Sequence, residues 1–430
     1  MSALIQWSDE GQAELDGVPV EHIARGCSTP VYVYDETAML RQLRRLRQSL
    51  GEEIDIYYSV KANPHPKIIG LFIREGVGCE IASGGEYALA RSAGASVARI
   101  VFAGPGKGRD ELEYVVGHGI GEIHIESFDE IELLDEIARH LQKDVHVAIR
   151  LNPAAAALGG GLLMGGGQPT AFGFEEESLP QVVRTLREHP RLKLKGVHLY
   201  TGTQILDAGV LLGHWRRAVE IAKRTAELTD APVSTVDLGG GLGIPYFAHE
   251  KELDLELLGA GAKELIAQSR LDPRLGKTQF VVEPGRFLVG PGGIYLARVR
   301  SVKNCRGTTF VVLDGGMNHN LAASGNLGQV LRRDYPILNL TRQAGPHSTV
   351  VIVGPLCTPI DTLARKVTIP TPRPGDLIGI LQSGAYGLTA SPVEFLSHSL
   401  PAEVLVGSGK YEVITPRQPR FGVKQGCASE

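Results

Sequence analysis

Several residues that could do chemistry stand at the ends of apolar runs. Lys61 follows the run in YYSVKAN, and Glu283 ends the run in VVEPGR, just before Gly285 and Arg286. A lysine in a desolvated site has a lowered pKa and can form a Schiff base with a carbonyl compound. A carboxylate beside it can bind a cationic group, and an arginine can bind an anion. The residue types therefore predict covalent carbonyl chemistry next to an anion site.

Two further segments of this kind lie between them in the chain. VHLYTGTQ ends an apolar run with the aromatic Tyr200 and the hydroxyl of Thr203, and DLGGGLG carries Gly240 and Gly241. Glycine N–H groups can cradle an anion such as phosphate. An aromatic ring beside hydroxyl groups fits a flat, phosphorylated ligand.

The elements that must position these residues alternate along the chain. From about residue 37 to 290, apolar runs typical of buried parallel strands are separated by helical patterns. The predicted strands are Ile54–Val60, Gly78–Ile81, Ile100–Ala103, Glu122–Glu126, Val145–Leu151, Leu194–Tyr200, Thr235–Leu238 and Gln279–Glu283. Eight such units predict an α/β fold, a TIM barrel, whose active site lies at the C-terminal strand ends. A doubly wound sheet is the alternative.

Each signal alone has an ordinary explanation. Lys61 could be a surface lysine, Tyr200 a packed core residue and the glycine run a tight turn. A lysine, a stacking ring, a phosphate cradle and a carboxylate on successive strand ends are together what pyridoxal phosphate needs. The sequence therefore predicts this cofactor.

The helical pattern stops after the eighth unit. Residues 291–430 consist mainly of β-rich runs separated by Gly and Pro turns. We expect a barrel domain over 36–290 and a mainly antiparallel β domain made of 1–35 and 291–430, with the strand at 30–35 joining the β domain. The Gly-rich insertion 153–173 is predicted to be a loop at the barrel mouth, either a mobile lid or a passive linker.

Composition excludes several classes of function. The 430 residues are 43% hydrophobic and 21% charged, with a formal net charge of -4, which gives no support for a nucleic-acid or membrane partner. The five scattered cysteines form no CxxC pair, which predicts a reducing compartment without disulfides or a metal site. Without a signal peptide or a long apolar run, we expect a cytoplasmic protein.

The chain resembles the fold type III pyridoxal-phosphate decarboxylases, which include diaminopimelate, ornithine and arginine decarboxylases. The resemblance is carried, in family order, by YYSVKAN, CEIASGGE, VFAGPGK, VDLGGGLGIPYF, EPGR, GPLCTPID and SGAYG. It implies a TIM barrel plus a C-terminal β domain, as in alanine racemase and ornithine decarboxylase.

The resemblance also implies roles for single residues. Lys61 would form the Schiff base with the cofactor, Glu283 would keep its ring nitrogen protonated, and Glu80 would lie near it. Cys357, supplied by the partner subunit, would reprotonate the carbanion left after CO2 departs, which implies a homodimer with shared active sites. The phosphate-binding segments contain Gly240, Gly241, Gly285, Arg286 and Tyr386.

Two departures from the family pattern concern the ligand. The family's His-(Ile/Val)-Gly-Ser pattern reads Tyr200-Thr201-Gly202-Thr203 here, so Tyr200 would stack on the cofactor and Thr203 would replace the phosphate-binding serine, with no stacking role for His198. Relatives that act on basic amino acids or diaminopimelate carry Asp or Glu after the cysteine, where this chain has Thr358. Thr358 and Asp361 are the predicted substrate-binding residues, and the distal end of the substrate is not expected to be a cation.

The segments VHLYTGTQ, PYFAHEKELDL, DGGMNH and GPLCTPID resemble a narrower branch that includes the glutamyl-acyl-carrier-protein decarboxylase of butirosin biosynthesis. This resemblance implies a biosynthetic enzyme whose substrate is tethered to an acyl-carrier protein. Diaminopimelate decarboxylase, or another decarboxylase of a free amino acid, is the alternative. A racemase and a non-catalytic regulatory homologue are further alternatives. Glu283 disfavours the racemase, because racemase relatives place an arginine opposite the ring nitrogen.

Overall fold

The computed structural model describes residues 4–153, 162–163, 169–247, 249–327 and 333–421. The chain divides into two compact units, each described below by itself. The barrel unit comprises Leu43–Ile244 and Lys251–Phe287, and the β unit comprises Met1–Gln42, Pro245–Glu250 and Leu288–Glu430. The domain limits at 36 and 290 stay a prediction.

The barrel unit is built on eight parallel strands that form a closed ring. Each strand pairs with the next, and the last pairs with the first through Phe280 and Ile54. The strands are β1 (Ile54–Ser59), β2 (Gly78–Ile81), β3 (Ile100–Phe102), β4 (Glu122–Ile125), β5 (Val145–Asn152), β6 (Leu192–Leu199), β7 (Thr235–Asp237) and β8 (Gln279–Val282). The predicted TIM barrel is confirmed, and closure of the ring rules out the doubly wound sheet.

Helices follow the barrel strands because the chain must return along the outside of a parallel sheet. Serine or aspartate begins several of them: the Ser127 hydroxyl accepts the N–H of Glu130, and the Asp207 carboxylate accepts the N–H of Val210. The helices are Glu36–Leu50, Pro66–Arg74, Gly84–Ser92, Arg109–His118, Phe128–His140, Leu179–Glu188, Ala208–Thr229, Leu255–Ser269 and Arg286–Val289. Apolar residues such as Trp215 are buried on their inner faces.

The β unit contains a nine-stranded sheet that is mainly antiparallel. Its strands are Val31–Asp35, Gly293–Cys305, Thr308–Leu313, Ile337–Asn339, His347–Val353, Thr362–Pro370, Leu377–Ile380, Ala402–Gly407 and Lys410–Thr415. The early strand Val31–Asp35 pairs antiparallel with Gly293–Cys305 and parallel with Ala402–Gly407, as expected for a strand that joins this sheet. Alternate apolar residues of these strands pack against the helix Val20–Cys27 in one core.

Short strands complete the two units. Gln6–Trp7, Ala13–Leu15 and Val18–Pro19 form a small antiparallel sheet near the N-terminus. Most of the predicted loop 153–173 lies outside the described residues, and the strand Leu162–Leu163 within it pairs with Gly202–Thr203. The strand Phe174–Glu175 pairs with the end of β5. Among the described residues, no helix combines the length and apolar character needed to cross a membrane.

Candidate active site

Lys61 lies at the C-terminal end of β1, in the single 3-10 turn Val60–Ala62. Its Nζ is 3.1 Å from both carboxylate oxygens of Glu80, which lies on β2. The Lys61 side chain keeps 40% exposure whereas that of Glu80 keeps 1%. The Ser59 hydroxyl also donates to Glu80 and fixes the carboxylate. The lysine amine is therefore oriented by a buried carboxylate and still reachable from solvent.

The aromatic ring predicted to stack on a ligand lies close to this amine. The Nζ of Lys61 is 5.7 Å from the centre of the Tyr200 ring, within the range of a cation–π contact. Gly240, after β7, packs between this ring and the backbone after β8. A Cβ on Gly240 would be 3.5 Å from the Tyr200 ring and 2.5 Å from the carbonyl oxygen of Glu283. The loop therefore has room only for glycine at this position.

Four more predicted phosphate-site residues lie at neighbouring strand ends of the same unit. Gly241 has a φ of 92°, and its carbonyl oxygen accepts the N–H of Ile205 at 2.9 Å. A Cβ on Gly285 would lie 2.9 Å from the Cβ of Ala62, beside Lys61. Thr203 ends the short strand Gly202–Thr203, and Arg286 begins the helix after β8. Their contact with a phosphate group stays a prediction.

Glu283 is the carboxylate directly after β8, and its side chain is buried. Its Oε2 is 3.4 Å from Nε2 of His198, whereas Oε1 is buried without a hydrogen-bond partner. The His198 ring also packs against the ring of His124 on β4, with 4.4 Å between ring centres. His198 thus lies in the barrel core beside Glu283. That it does not stack on the cofactor stays a prediction.

The fourth member of this cluster is Asp237, the last residue of β7. Its Oδ1 accepts the N–H of Gly239 at 2.8 Å, and its Oδ2 is 4.0 Å from Nε2 of His124. One potential ligand atom from each of the four side chains lies within 4.8 Å of the others, a spacing that could also suit a metal ion. We call His124, His198, Asp237 and Glu283 the buried quartet. The expected absence of a metal stays a prediction.

The two carboxyl groups of the quartet have pKa values shifted in opposite directions. Burial, followed by the charge of Glu283, raises the pKa of Asp237 well above its usual range. Burial also acts to raise the pKa of Glu283, but the neighbouring His198, His124 and Lys61 outweigh it and hold that pKa well below its usual range. Two like charges this close in a dry site are strongly unfavourable, so a single charge on Glu283 is the stable arrangement.

The remaining predicted residues belong to the β unit. Cys357 is exposed in the loop between His347–Val353 and Thr362–Pro370, with the half-buried Thr358 next to it. Asp361, in contrast, is buried, and its carboxylate accepts the N–H groups of Met317 at 2.7 Å and Leu356 at 2.9 Å. These bonds indicate that Asp361 holds the Cys357 loop in shape. A contact between Asp361 and the substrate stays a prediction.

Tyr386 lies in the segment after the strand Leu377–Ile380, with a φ of 54°. This left-handed conformation is unusual for a tyrosine and is typical of residues at functional or tightly turned positions. It is half-buried within the β unit. The predicted role of Tyr386 at the cofactor phosphate stays a prediction.

Sequence reasoning missed His124 and Asp237 of the quartet, and it also missed an ion pair at neighbouring strand ends. Arg150 of β5 donates to Glu126, just after β4, at 2.7 Å, and both are buried. Burial raises the pKa of Glu126, yet the charges of Arg150 and Lys107 hold it below its usual value. The sequence did contain a signal for His124 and Arg150. Each is a polar residue within a strand that is buried on both faces, and such a side chain points into the barrel.

Comparisons with known proteins identify the family of the chain. The family model described as pyridoxal-dependent decarboxylase, pyridoxal binding domain, matches residues 36–290. The L-glutamyl-[BtrI acyl-carrier protein] decarboxylase of Niallia circulans is 39% identical over 93% of this chain and 94% of its own length. The diaminopimelate decarboxylase of Zymomonas mobilis is 32% identical over 94% of each chain.

The fold is also similar to that of solved structures. The crystal structure of diaminopimelate decarboxylase from Helicobacter pylori, complexed with L-lysine, superposes with a TM-score of 0.83 at 26% identity. The superposition covers 93% of this chain and 97% of that one. Sequence match, fold and site geometry agree, and the chain therefore belongs to the pyridoxal-dependent decarboxylase family.

Proposed function

We propose that this protein decarboxylates an amino acid whose distal end is neutral, with a glutamyl group on an acyl-carrier protein as the substrate. The observation that supports it best is the arrangement of charged and aromatic side chains around Lys61 at the barrel mouth. The Lys61 amine lies 3.1 Å from a buried carboxylate and 5.7 Å from an aromatic ring, and the strand end after β8 carries the buried carboxylate of Glu283.

The residues of the barrel fit pyridoxal phosphate, the cofactor of this family. In the described part of the chain, no N–H group donates to the buried Oε1 of Glu283, which suits a carboxylate that accepts a protonated ring nitrogen. Gly240 has no space for a Cβ, which leaves its backbone close to a ligand. The reachable amine of Lys61 can bind a carbonyl carbon. When bound, the cofactor supplies an electron-accepting ring.

Each residue has a defined task in this proposal. Lys61 would hold the cofactor through its amine, Tyr200 would cover one ring face, and Glu283 would keep the proton on the ring nitrogen. Glu80 would orient the Lys61 amine through the contact described above. The residues proposed for the phosphate group are Thr203, Gly240, Gly241, Gly285, Arg286 and Tyr386.

Cys357 is the proposed proton donor. When the bond between the α-carbon and its carboxylate breaks, CO2 leaves and the electron pair stays at the α-carbon. The Cys357 thiol would return a proton to that carbon, which yields the amine product. The family resemblance assigns this cysteine to the partner subunit, and its exposure within the β unit supports that assignment. We therefore include a homodimer with shared active sites in the proposal.

Thr358 supports the choice of substrate. A threonine has a hydroxyl but no charge to form an ion pair with a distal ammonium group, so a substrate whose far end is a neutral thioester fits better than a basic amino acid. The relative from Niallia circulans is named for a glutamyl-carrier substrate, which supports the same choice. Removal of the α-carboxylate from a glutamyl group held through its side-chain carboxyl would give a 4-aminobutyryl group. A biosynthetic role and a cytoplasmic location, the latter favoured by free cysteines, complete the proposal.

A substrate panel tests the proposal. CO2 release is measured with the pyridoxal-phosphate-loaded enzyme on glutamyl-loaded carrier protein, free L-glutamate, meso-diaminopimelate and L-ornithine. We expect kcat/KM for the loaded carrier to exceed that for every free amino acid by about a hundredfold or more, since remote binding energy raises turnover. Preference for diaminopimelate would establish the alternative substrate, as the relative from Zymomonas mobilis suggests. Absence of CO2 from all four would contradict the enzyme assignment.

A further inference from the structure

The buried quartet is an unusual set of groups for a barrel core. His124, His198 and Glu283 lie on or directly after the alternate strands β4, β6 and β8, which is how side chains of one interior layer are arranged in a TIM barrel. Such layers usually consist of branched apolar residues. Polar groups buried in their place cost free energy unless they are bonded to one another or serve a ligand.

Hydrogen bonding inside the quartet is incomplete. Among the residues that the structure describes, neither ring nitrogen of His198 forms a well-aligned hydrogen bond, and its Nε2 lies 3.4 Å from Oε2 of Glu283. Among the described residues, Oδ2 of Asp237 and Oε1 of Glu283 likewise have no N–H donor, and the two carboxyl groups lie close enough to share a proton in a hydrogen bond. His124 faces Glu122 with its Nε2 at 3.2 Å, and its Nδ1 has no partner within the described ranges. Polar atoms that lack a partner or an N–H donor therefore occur on all four members of the quartet.

The groups that face Glu283 set where its charge lies. Burial, followed by the charge of His124, lowers the pKa of His198 to about 4 despite the nearby Glu283, so its ring is neutral near pH 7 and has one N–H to donate. Burial beside Glu283 raises the pKa of Asp237 well above its usual range, which favours its protonated form. Lys61 adds a positive charge from the barrel mouth that favours the anionic form of Glu283. Glu283 is therefore the carboxyl group of the quartet whose charge can be shared with a ligand.

We propose that His198 and Asp237 are positioning residues for Glu283: His198 holds the carboxylate through its Nε2–H, and Asp237 stays a neutral acid. Asp237 then donates its O–H to the Glu283 carboxylate, and the negative charge stays on Glu283. A carboxylate has about four acceptor sites, so it can still accept the donor that approaches from the barrel mouth. This inference rests on the proposed role of Glu283 opposite the cofactor ring nitrogen. A divalent metal in the quartet would instead occupy the Glu283 carboxylate.

Two measurements test the positioning roles of His198 and Asp237. First, the infrared difference spectrum of the cofactor-free protein, wild type minus Asp237→Asn, is recorded at neutral pH. We expect the carbonyl stretch of a protonated carboxyl in the wild type that is lost in the variant. A carboxylate band in its place would show that Asp237 is ionised and would overturn the proposal. This readout is independent of catalysis, and the amide is close in shape to the neutral acid, so folding is preserved.

Second, the dissociation constant of pyridoxal phosphate and its bound absorbance spectrum are measured for wild type, His198→Leu, His198→Gln and Glu283→Gln. His146→Gln, an exposed histidine on β5, is the control. We expect His198→Leu to weaken binding about tenfold, since a hydrogen bond to a charged group is lost. His198→Gln keeps an N–H donor and should recover most of the affinity, and His146→Gln should match the wild type.

The outcomes separate this inference from the proposed function. If Glu283→Gln changes neither affinity nor spectrum, the proposed role of Glu283 fails. If Glu283→Gln changes them but His198→Leu does not, or if Leu and Gln at 198 have equal effects, only the positioning role is overturned. Stoichiometric metal in the purified wild type that is lost in His198→Gln would also overturn it. Should His198→Leu not fold, His198→Gln and the infrared measurement still decide.

Discussion

The functional roles of some single side chains could be predicted from the sequence, whereas those of others could not. Lys61 and Glu283 could be found because each ends an apolar run, and a charge in that position has to face the strand-end side of a barrel. His124 and Asp237 could not be assigned a role, because their use depends on side chains from distant strands. The role of Asp361 could not be predicted either, because the sequence does not show that its carboxylate binds the backbone N–H groups of Met317 and Leu356.

The first prediction at this scale concerns Lys61. Lys61→Ala removes the only group in the proposal that can bond covalently to the cofactor, so borohydride reduction followed by mass spectrometry should find no pyridoxyl-modified peptide. CO2 release should fall by at least about a thousandfold. Lys277→Ala, which changes an exposed lysine of the same unit, serves as the control and should retain the modified Lys61 peptide. A modified peptide elsewhere in Lys61→Ala would refute the assignment.

A second prediction concerns Thr358. Thr358→Asp places a negative charge beside Cys357. The family resemblance implies an acid at this position in relatives that act on basic substrates. We expect kcat/KM for the glutamyl-carrier substrate to fall about tenfold or more, and turnover of L-ornithine to rise above background. Thr358→Val, which has similar size and no charge, should lose less activity than Asp and gain no ornithine turnover. Equal effects of Val and Asp would show that charge at this position does not select the substrate.

The strands and helices could be predicted better than the turns that join them. The eight strands are short, continuous apolar runs separated by helical periods, and this pattern depends on local sequence. The turns that follow the strands were less predictable, because a glycine run alone does not say which neighbour it must clear. In the loop after β7, the neighbour is the backbone of Glu283, which is distant in sequence.

The loop after β7 gives the prediction at this scale. In Gly240→Ala the added Cβ would meet the Glu283 carbonyl oxygen at 2.5 Å, so the backbone has to move. We expect stability to fall by about 1–3 kcal/mol and affinity for pyridoxal phosphate to fall about tenfold, measured by urea unfolding and absorbance titration. Gly117→Ala is the control: nothing lies within 4 Å of its Cβ in the helix Arg109–His118. If Gly240→Ala binds pyridoxal phosphate with wild-type affinity, the loop after β7 is not part of the cofactor site.

At the scale of the whole molecule, the sequence predicts two kinds of architecture and the structure has both. The change from helical periods to turn-separated β runs marks where the barrel gives way to the β unit. The short segment Pro245–Glu250, which groups with the β unit although barrel residues flank it, could not be predicted, because its contacts are to residues remote in sequence. One such contact is the ring of Tyr246 against that of Tyr335, with 4.6 Å between centres.

Acid stability is the prediction for the whole molecule. Burial, with His398 and Arg417 nearby, lowers the pKa of His319 to about 4. The unfolded chain, with a histidine pKa of about 6.5, therefore binds a proton between about pH 6.5 and 4 that the folded chain does not. Stability should fall as the pH drops through this window, and His319 should contribute about 3 kcal/mol of the loss.

The variant His319→Gln isolates this contribution. Urea unfolding of wild type and variant is compared from pH 7 to pH 4. Because glutamine does not titrate, we expect the variant to lose about 3 kcal/mol less stability across the window than the wild type, whatever its stability at pH 7. Parallel pH profiles of the two proteins would show that His319 is not the buried neutral base described here.

The most direct test of the central claim follows a single carbon atom. Carrier protein loaded with glutamate that is 13C-labelled at the α-carboxyl is incubated with the pyridoxal-phosphate-loaded enzyme. Gas-phase and intact-protein mass spectrometry then follow the label. The account predicts labelled CO2 in equal amount to a 4-aminobutyryl-carrier product. Label that stays on the carrier, with or without racemisation of the α-carbon, would contradict it.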